Sequence, residues 1–191
     1  FTVPCPDTCS TRRINEMKFT FCLTHSLLNE QGIPSACEYD VDGVLTMLIL
    51  STLSNCAPFM GNTNPLVYEN GTLRPMRRFN IEDIKDVEDL TPNRKFHGID
   101  GEMNSYSVRH FAYDQKFGAV FRHDFREDKG EKITICRLSP DCKKIFIGEG
   151  TIVGGGDYEL DNCNGYVVYR VADQAKFFKS QCEVGNHLPF V

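Results

Sequence analysis

The run Gly32-Ile33-Pro34-Ser35-Ala36-Cys37-Glu38-Tyr39-Asp40-Val41-Asp42-Gly43 constrains the fold more than any other stretch of the chain. Gly32 and Pro34 stop a preceding helix, because glycine accepts the left-handed helix terminus and proline cannot continue the ladder. Glu38 and Asp40 then occupy alternate positions of a short segment that reads as extended. A helix follows from about Val41 to Leu53, with Val41, Val44, Leu45, Leu48, Ile49 and Leu53 as its expected buried face. Asp40 or Asp42 can cap it, since the free N–H groups and the dipole of a helix start favour an anion. A carboxylate at a strand-to-helix junction is also where α/β sheets commonly carry working groups. Capping and function are therefore both open for these acids.

Upstream, Thr24 to Gln31 reads as a short helix. Downstream, Ala57 to Asn62 reads as a short buried strand, and Asn70-Gly71 as a turn between Leu66-Val67-Tyr68 and Leu73. Ile81 to Leu90 is expected as a surface helix capped by Asn80 and stopped by Pro92. From Phe111 the pattern changes to strands: Phe117 to Phe125, Lys132 to Leu138, Lys144 to Ile147 and Tyr166 to Val171. Short strands at roughly ten-residue spacing argue for a sandwich or barrel. Gly154-Gly155-Gly156 is expected as a flexible link or wide turn; no Lys-Ser/Thr follows it, so it is not a phosphate loop. A last helix, Asp173 to Cys182, is expected to bury Ala175, Phe178 and Cys182. Asn186 to Val191 resembles the opening of a strand without a partner, and with no Met at the start the chain reads as a fragment of a longer protein.

Composition sets outer bounds. A net charge of −5 argues against an extended basic surface for nucleic acid. No window of about 18 consecutive apolar residues indicates a membrane span, and Phe1 to Cys5 does not open a signal peptide. Nine scattered cysteines, an odd number, suit buried thiols in a reducing cytoplasm better than a disulfide framework. The spacing of Cys5, Cys9, Cys22 and His25 comes close to a zinc-finger pattern, which stands as an alternative.

The segment from Cys22 through Gly32-Ile33-Pro34, Ala36-Cys37-Glu38, Asp40, Gly43 and Leu45-Thr46-Met47 resembles the metal-binding core of the L-fucose/L-arabinose isomerase superfamily. Phe59-Met60-Gly61-Asn62 continues the likeness. Gly130 to Pro140, with Thr134, Arg137, Leu138 and Ser139, is similar to a strand of that family, and Gly185-Asn186-His187 to its terminal histidine motif. The resemblance implies an α+β chain. Residues 1–60 would be the C-terminal piece of an α/β domain carrying the metal carboxylates, and 61–191 a small antiparallel β-barrel or sandwich.

It further implies a Mn²⁺ or Mg²⁺ ion held by Glu16, Asp40 and His187, with Glu38 as the alternative second acid or as a support behind the ligands. Glu16 and Asp40 would serve as catalytic acids, an aldose or ketose would be the substrate, and the parent enzyme would be a cytoplasmic homo-oligomer. Such chemistry suits these residue types. Aldose–ketose isomerisation moves a proton between C1 and C2, negative charge develops on neighbouring oxygens, and a hard cation stabilises it. Carboxylate oxygens with one imidazole select such a cation over thiophilic metals. Cys37 reads as packed rather than ligating, and His25 as a surface or capping residue. His97, His110, His123, Arg109, Arg122 and Arg137 read first as structural groups, with pocket roles open. A non-catalytic sugar-binding relative or scaffold with a degraded site is the second reading.

Overall fold

The computed structural model describes residues 1–4, 21–61, 63–69, 72–75, 91–95, 105–108, 119–122, 125–156, 166–185 and 187–191. Helix α1 spans Cys22–Glu30, α2 spans Val41–Ser54 and α3 spans Gln174–Gln181. Eight strands lie between α2 and α3: β1 Thr63–Glu69, β2 Thr72–Pro75, β3 Thr91–Lys95, β4 Ser105–Val108, β5 Ala119–Arg122, β6 Lys132–Leu138, β7 Ile145–Gly156 and β8 Tyr166–Arg170. Six form one antiparallel sheet in the order β2-β1-β3-β8-β7-β6, and β4 pairs with β5 separately. The fold is therefore mixed α+β. Among the described residues the large sheet is open, with β2 and β6 at its edges, and no closure into a barrel is present.

The core lies on β6, β7 and β8. Ile133, Ile135, Ile152, Val167 and Tyr169 pack with Phe177 and Phe178 of α3 and with Phe59, Phe125 and Phe190. The 188–191 segment finds partners on both sides. Phe190 exchanges backbone hydrogen bonds with Phe59 (2.8 and 2.9 Å), and Val191 with Thr134 of β6 (2.8 and 3.1 Å). It thus covers the free edge of β6, an edge that would otherwise present unpaired backbone groups. The Phe59 ring stacks on Phe190, with ring centres 5.6 Å apart.

Several local expectations are corrected. Gly154 to Gly156 belong to β7, which absorbs an irregularity between Ile152 and Gly154 in its pairing with β8, so they are not a free link. α3 buries Phe178 as expected, together with Phe177 and Gln181, whereas Cys182 is exposed; the side chain of Ala175 lies outside the described residues. Among the described thiols, Cys22, Cys37 and Cys136 are buried, while Cys56, Cys142 and Cys182 are exposed. The Asn70-Gly71 turn lies outside the described residues, but its flanks pair in hairpin register, Glu69 opposite Thr72. The Ile81–Leu90 helix lies outside them as well.

α2 turns the other way from its expected orientation. Gly43, Thr46, Met47 and Leu50 face inward, at i, i+3, i+4 and i+7. Leu48 is 49% exposed and Leu53 81%. The helix is apolar nearly all round, so apolar spacing alone does not select a face. Docking is decided instead by the small Gly43 and by Thr46, whose hydroxyl accepts from Leu138 N of β6 at 3.0 Å.

α1 presents a polar inward face of Cys22, His25, Ser26 and Asn29. It ends as the sequence suggests: Gly32 takes φ +75, Gly32 N bonds Asn29 O and Ile33 N bonds Leu28 O, a Schellman termination. His25 is not a surface residue. It is fully buried, and burial pulls its pKa down to about 4. No helix among the described residues is long and apolar enough to cross a membrane.

Two predictions follow from this packing. Phe190→Ala should cost about 3–5 kcal/mol of unfolding free energy and Leu53→Ala no more than about 0.5, as read by denaturant titration. His25 is neutral when folded and takes up a proton more readily when unfolded. Stability should therefore fall as the pH drops from 6.5 towards about 4. His25→Asn should flatten that part of the stability–pH curve; an unchanged slope would assign it to other groups.

Candidate metal centre

The turn that carries the acids is held from α1. Asn29 bonds both backbone groups of Ser35, donating from Nδ2 to the carbonyl at 2.9 Å and accepting from the N–H at 2.7 Å. His25 Nδ1 lies 2.7 Å from the Ser35 hydroxyl. With Ser35 and Ala36 so fixed, Glu38 and Tyr39 both adopt left-handed backbone, φ +64 and +58. Non-glycine residues rarely take that region, at a cost of about 1–3 kcal/mol each. Glu38 and Asp40 are thus joined by a tight turn, not by the expected extended segment.

Asp40 does two things with its two oxygens. Oδ1 accepts from Gly43 N at 2.8 Å and caps α2. Oδ2 accepts from His187 Nδ1 at 2.8 Å and from an Arg137 guanidinium N–H. Gly43 is required for this arrangement, because a Cβ there would lie 2.5 Å from Asp40 Oδ2 and 2.8 Å from Met60 Sδ.

Arg137 ties the site together. Its side chain is buried at the end of β6, on the same face as Ile133 and Ile135. Besides Asp40, it donates from Nε to Val184 O at 3.1 Å and from the guanidinium to His187 O at 3.0 Å. It therefore grips both sides of the turn after α3, where Gly185 takes φ +102. That turn delivers His187. Its second ring nitrogen, Nε2, stands 3.0 Å from Glu38 Oε2, within ion-pair distance.

Burial alone would raise the Asp40 pKa. Hydrogen bonds from His187, Arg137 and Gly43, with the Arg137 charge, outweigh it and hold the carboxyl well below the usual carboxylate range. For His187, burial opposes the charged form, yet Asp40 and Glu38 prevail and push it up to about 9. Without a bound cation the site is a balanced set of two carboxylates and two cations.

Asp40, Glu38 and His187 thus meet, although Asp40 and His187 are 147 positions apart. Glu16 lies outside the described residues, as do Cys5, Cys9, Arg109, His97, His110 and His123. Of the zinc-finger alternative, only Cys22 and His25 are described, both buried on α1. Arg122 lies on β5. Arg137 is the residue that sequence reasoning undervalued. Its signal was its position: an arginine in register with two inward isoleucines of an alternating strand needs a buried acid. Cys37 Sγ joins one Glu38 oxygen and one His187 nitrogen in a group whose atoms all lie within 4.8 Å of one another. A groove of about 510 Å³ between β7 and α3, lined by Ile145, Ile147, Lys176 and Phe177 among others, is elsewhere and contains none of these residues.

Part of the chain is similar to a sugar isomerase. The relative is the sulfoquinovose isomerase of Alkalicoccus urumqiensis, 42% identical over 60 residues, which is 31% of this chain and 14% of that protein. No family model matches the chain.

Arg137→Met should destabilise the protein by about 3–5 kcal/mol, since it leaves Asp40 buried without its guanidinium. Adding Asp40→Asn to that variant should recover part of the loss, as measured by a double-mutant cycle in urea. Strict additivity would mean that the two side chains act independently.

Proposed function

We propose that this chain carries part of the metal site of an aldose–ketose isomerase of the L-fucose/L-arabinose isomerase kind, which moves a proton between C1 and C2 of a sugar through an enediolate. The observation that carries the reading is the convergence of Glu38, Asp40 and His187, with His187 Nδ1 2.8 Å from Asp40 and Nε2 3.0 Å from Glu38. The motif likeness around these residues and the partial identity to a sulfoquinovose isomerase support it.

The donor set suits a hard divalent cation. Neighbouring ligands of one ion at about 2.0–2.3 Å stand roughly 3 Å apart, close to the 3.0 Å between Glu38 Oε2 and His187 Nε2. Asp40 and His187, with Glu16 or Glu38 as the further acid, are the residues to hold Mn²⁺ or Mg²⁺. When bound, the cation supplies positive charge where the sugar oxygens become negative. Arg137 keeps Asp40 ionised and aimed. Asp40 fixes the His187 ring through Nδ1, the support that metal-binding histidines commonly have. Glu38 has a side chain 40% exposed, so its carboxylate can take a proton from a bound sugar and return it. The parent enzyme would work as a homo-oligomer in the cytoplasm.

One observation favours a second reading, a sugar-binding relative without turnover. Asp40 Oδ2 already receives two donors and Oδ1 a third, which leaves it few lone pairs for an ion.

Full-length protein with Mn²⁺ and a panel of aldoses should convert at least one to its ketose. Asp40→Asn, which can still cap α2, should abolish turnover. Glu38→Gln should lower it about 10²–10⁴-fold with an unchanged melting temperature. Undiminished activity in Asp40→Asn would remove Asp40 from the mechanism, and saturable sugar binding without conversion would select the second reading.

A further inference from the structure

We propose that Cys37, Glu38 and His187 form a thiophilic cation site, in which Zn²⁺ is held by the Cys37 thiolate, a Glu38 carboxylate oxygen and His187 Nε2. The proposal goes beyond the isomerase reading and stands without it. Three features carry it. The ligand atoms of the three residues already lie within 4.8 Å of one another, so small side-chain rotations close them on one ion. His187 is 6% exposed, and its buried Nε2 is directed at Glu38, 3.0 Å from Oε2. The other ring nitrogen is fixed by Asp40 at 2.8 Å, giving the carboxylate–histidine support that orients a zinc-binding imidazole.

The donor chemistry then selects the ion. A thiolate, an imidazole and one carboxylate match the three-ligand set that zinc accepts with a fourth position open. Thiolate favours zinc over Mn²⁺ and Mg²⁺. Glu38 is partly exposed and gives the ion a way in. Binding forms a sulfur–metal and a nitrogen–metal bond and releases two protons to solvent, one from the Cys37 thiol and one from His187 Nε2, while the Nδ1 proton stays on the bond to Asp40. If the isomerase reading also holds, Zn²⁺ and Mn²⁺ compete for His187.

Cobalt(II) replaces zinc in such sites and reports the sulfur directly. Titrated into the full chain under reducing conditions, Co²⁺ should produce a near-ultraviolet thiolate-to-cobalt charge-transfer band that saturates at one equivalent. One equivalent of Zn²⁺ should abolish it. Cys37→Ser should lack the band while keeping its far-ultraviolet circular dichroism, and Glu38→Gln, altered on a partly exposed side chain, should weaken Co²⁺ affinity at least tenfold. A band that survives Cys37→Ser, a Glu38→Gln affinity equal to wild type, or no band in the wild-type chain overturns the proposal. None of these signals depends on turnover, so failure of the isomerase reading leaves them unchanged.

Discussion

The guanidinium of Arg137 joins parts far apart in the chain: the cap of α2 on one side, the turn after α3 and the backbone of His187 on the other. Its pairing with Asp40 is buried on both sides. Such a pair contributes little net stability, because taking two charges out of water costs about as much as their attraction returns. Its value is geometric. Any packing that separates α2 from the turn at Gly185 leaves a charge unpaired in the interior, so alternative arrangements are strongly disfavoured. The sheet supplies the hydrophobic stabilisation, and Arg137 ties the start of α2 to the turn after α3.

Asp40 shows how one side chain can cap a helix and also hold a buried imidazole. A cap needs one oxygen, and a carboxylate has two. The second is directed away from the helix by the absence of a side chain at position 43 and by the tight turn at Glu38 and Tyr39. The imidazole it holds then has a fixed outward nitrogen, beside which stand both a hard donor, Glu38, and a soft one, Cys37.

Much of the frame was legible from local patterns. The limits of β6 match its alternating run, Gly32 ends α1 by left-handed backbone, and Asp40 caps α2. These features are set by neighbours in sequence, where spacing and residue type suffice. The meeting of Asp40 with His187 was anticipated through motif likeness, since spacing carries no information across so long a stretch. What escaped were tertiary choices. The inward face of α2 depends on the close approach allowed by Gly43 and on the Thr46 bond to β6, not on where its leucines lie. His25 is buried between the Ser35 hydroxyl and the rings of Phe1 and Phe21, and the left-handed turn before Asp40 is bonded from Tyr39 N to Val3 O; Phe1 and Val3 are distant in sequence from the groups they contact. An isolated segment has no reason to adopt any of these.

The separation of Asp40 from Arg137 and His187, 97 and 147 positions, has a consequence for the order of folding. Closing loops of such length costs little more than closing loops half as long, about 0.6 kcal/mol per doubling, so equilibrium stability is barely affected. Speed is another matter, since non-local contacts form slowly. On a ribosome, the carboxylates emerge long before their cationic partners do. Until β6 is paired and the residues after α3 have been made, Asp40 lacks both of these partners, so the cluster cannot close before the 187–191 segment is in place.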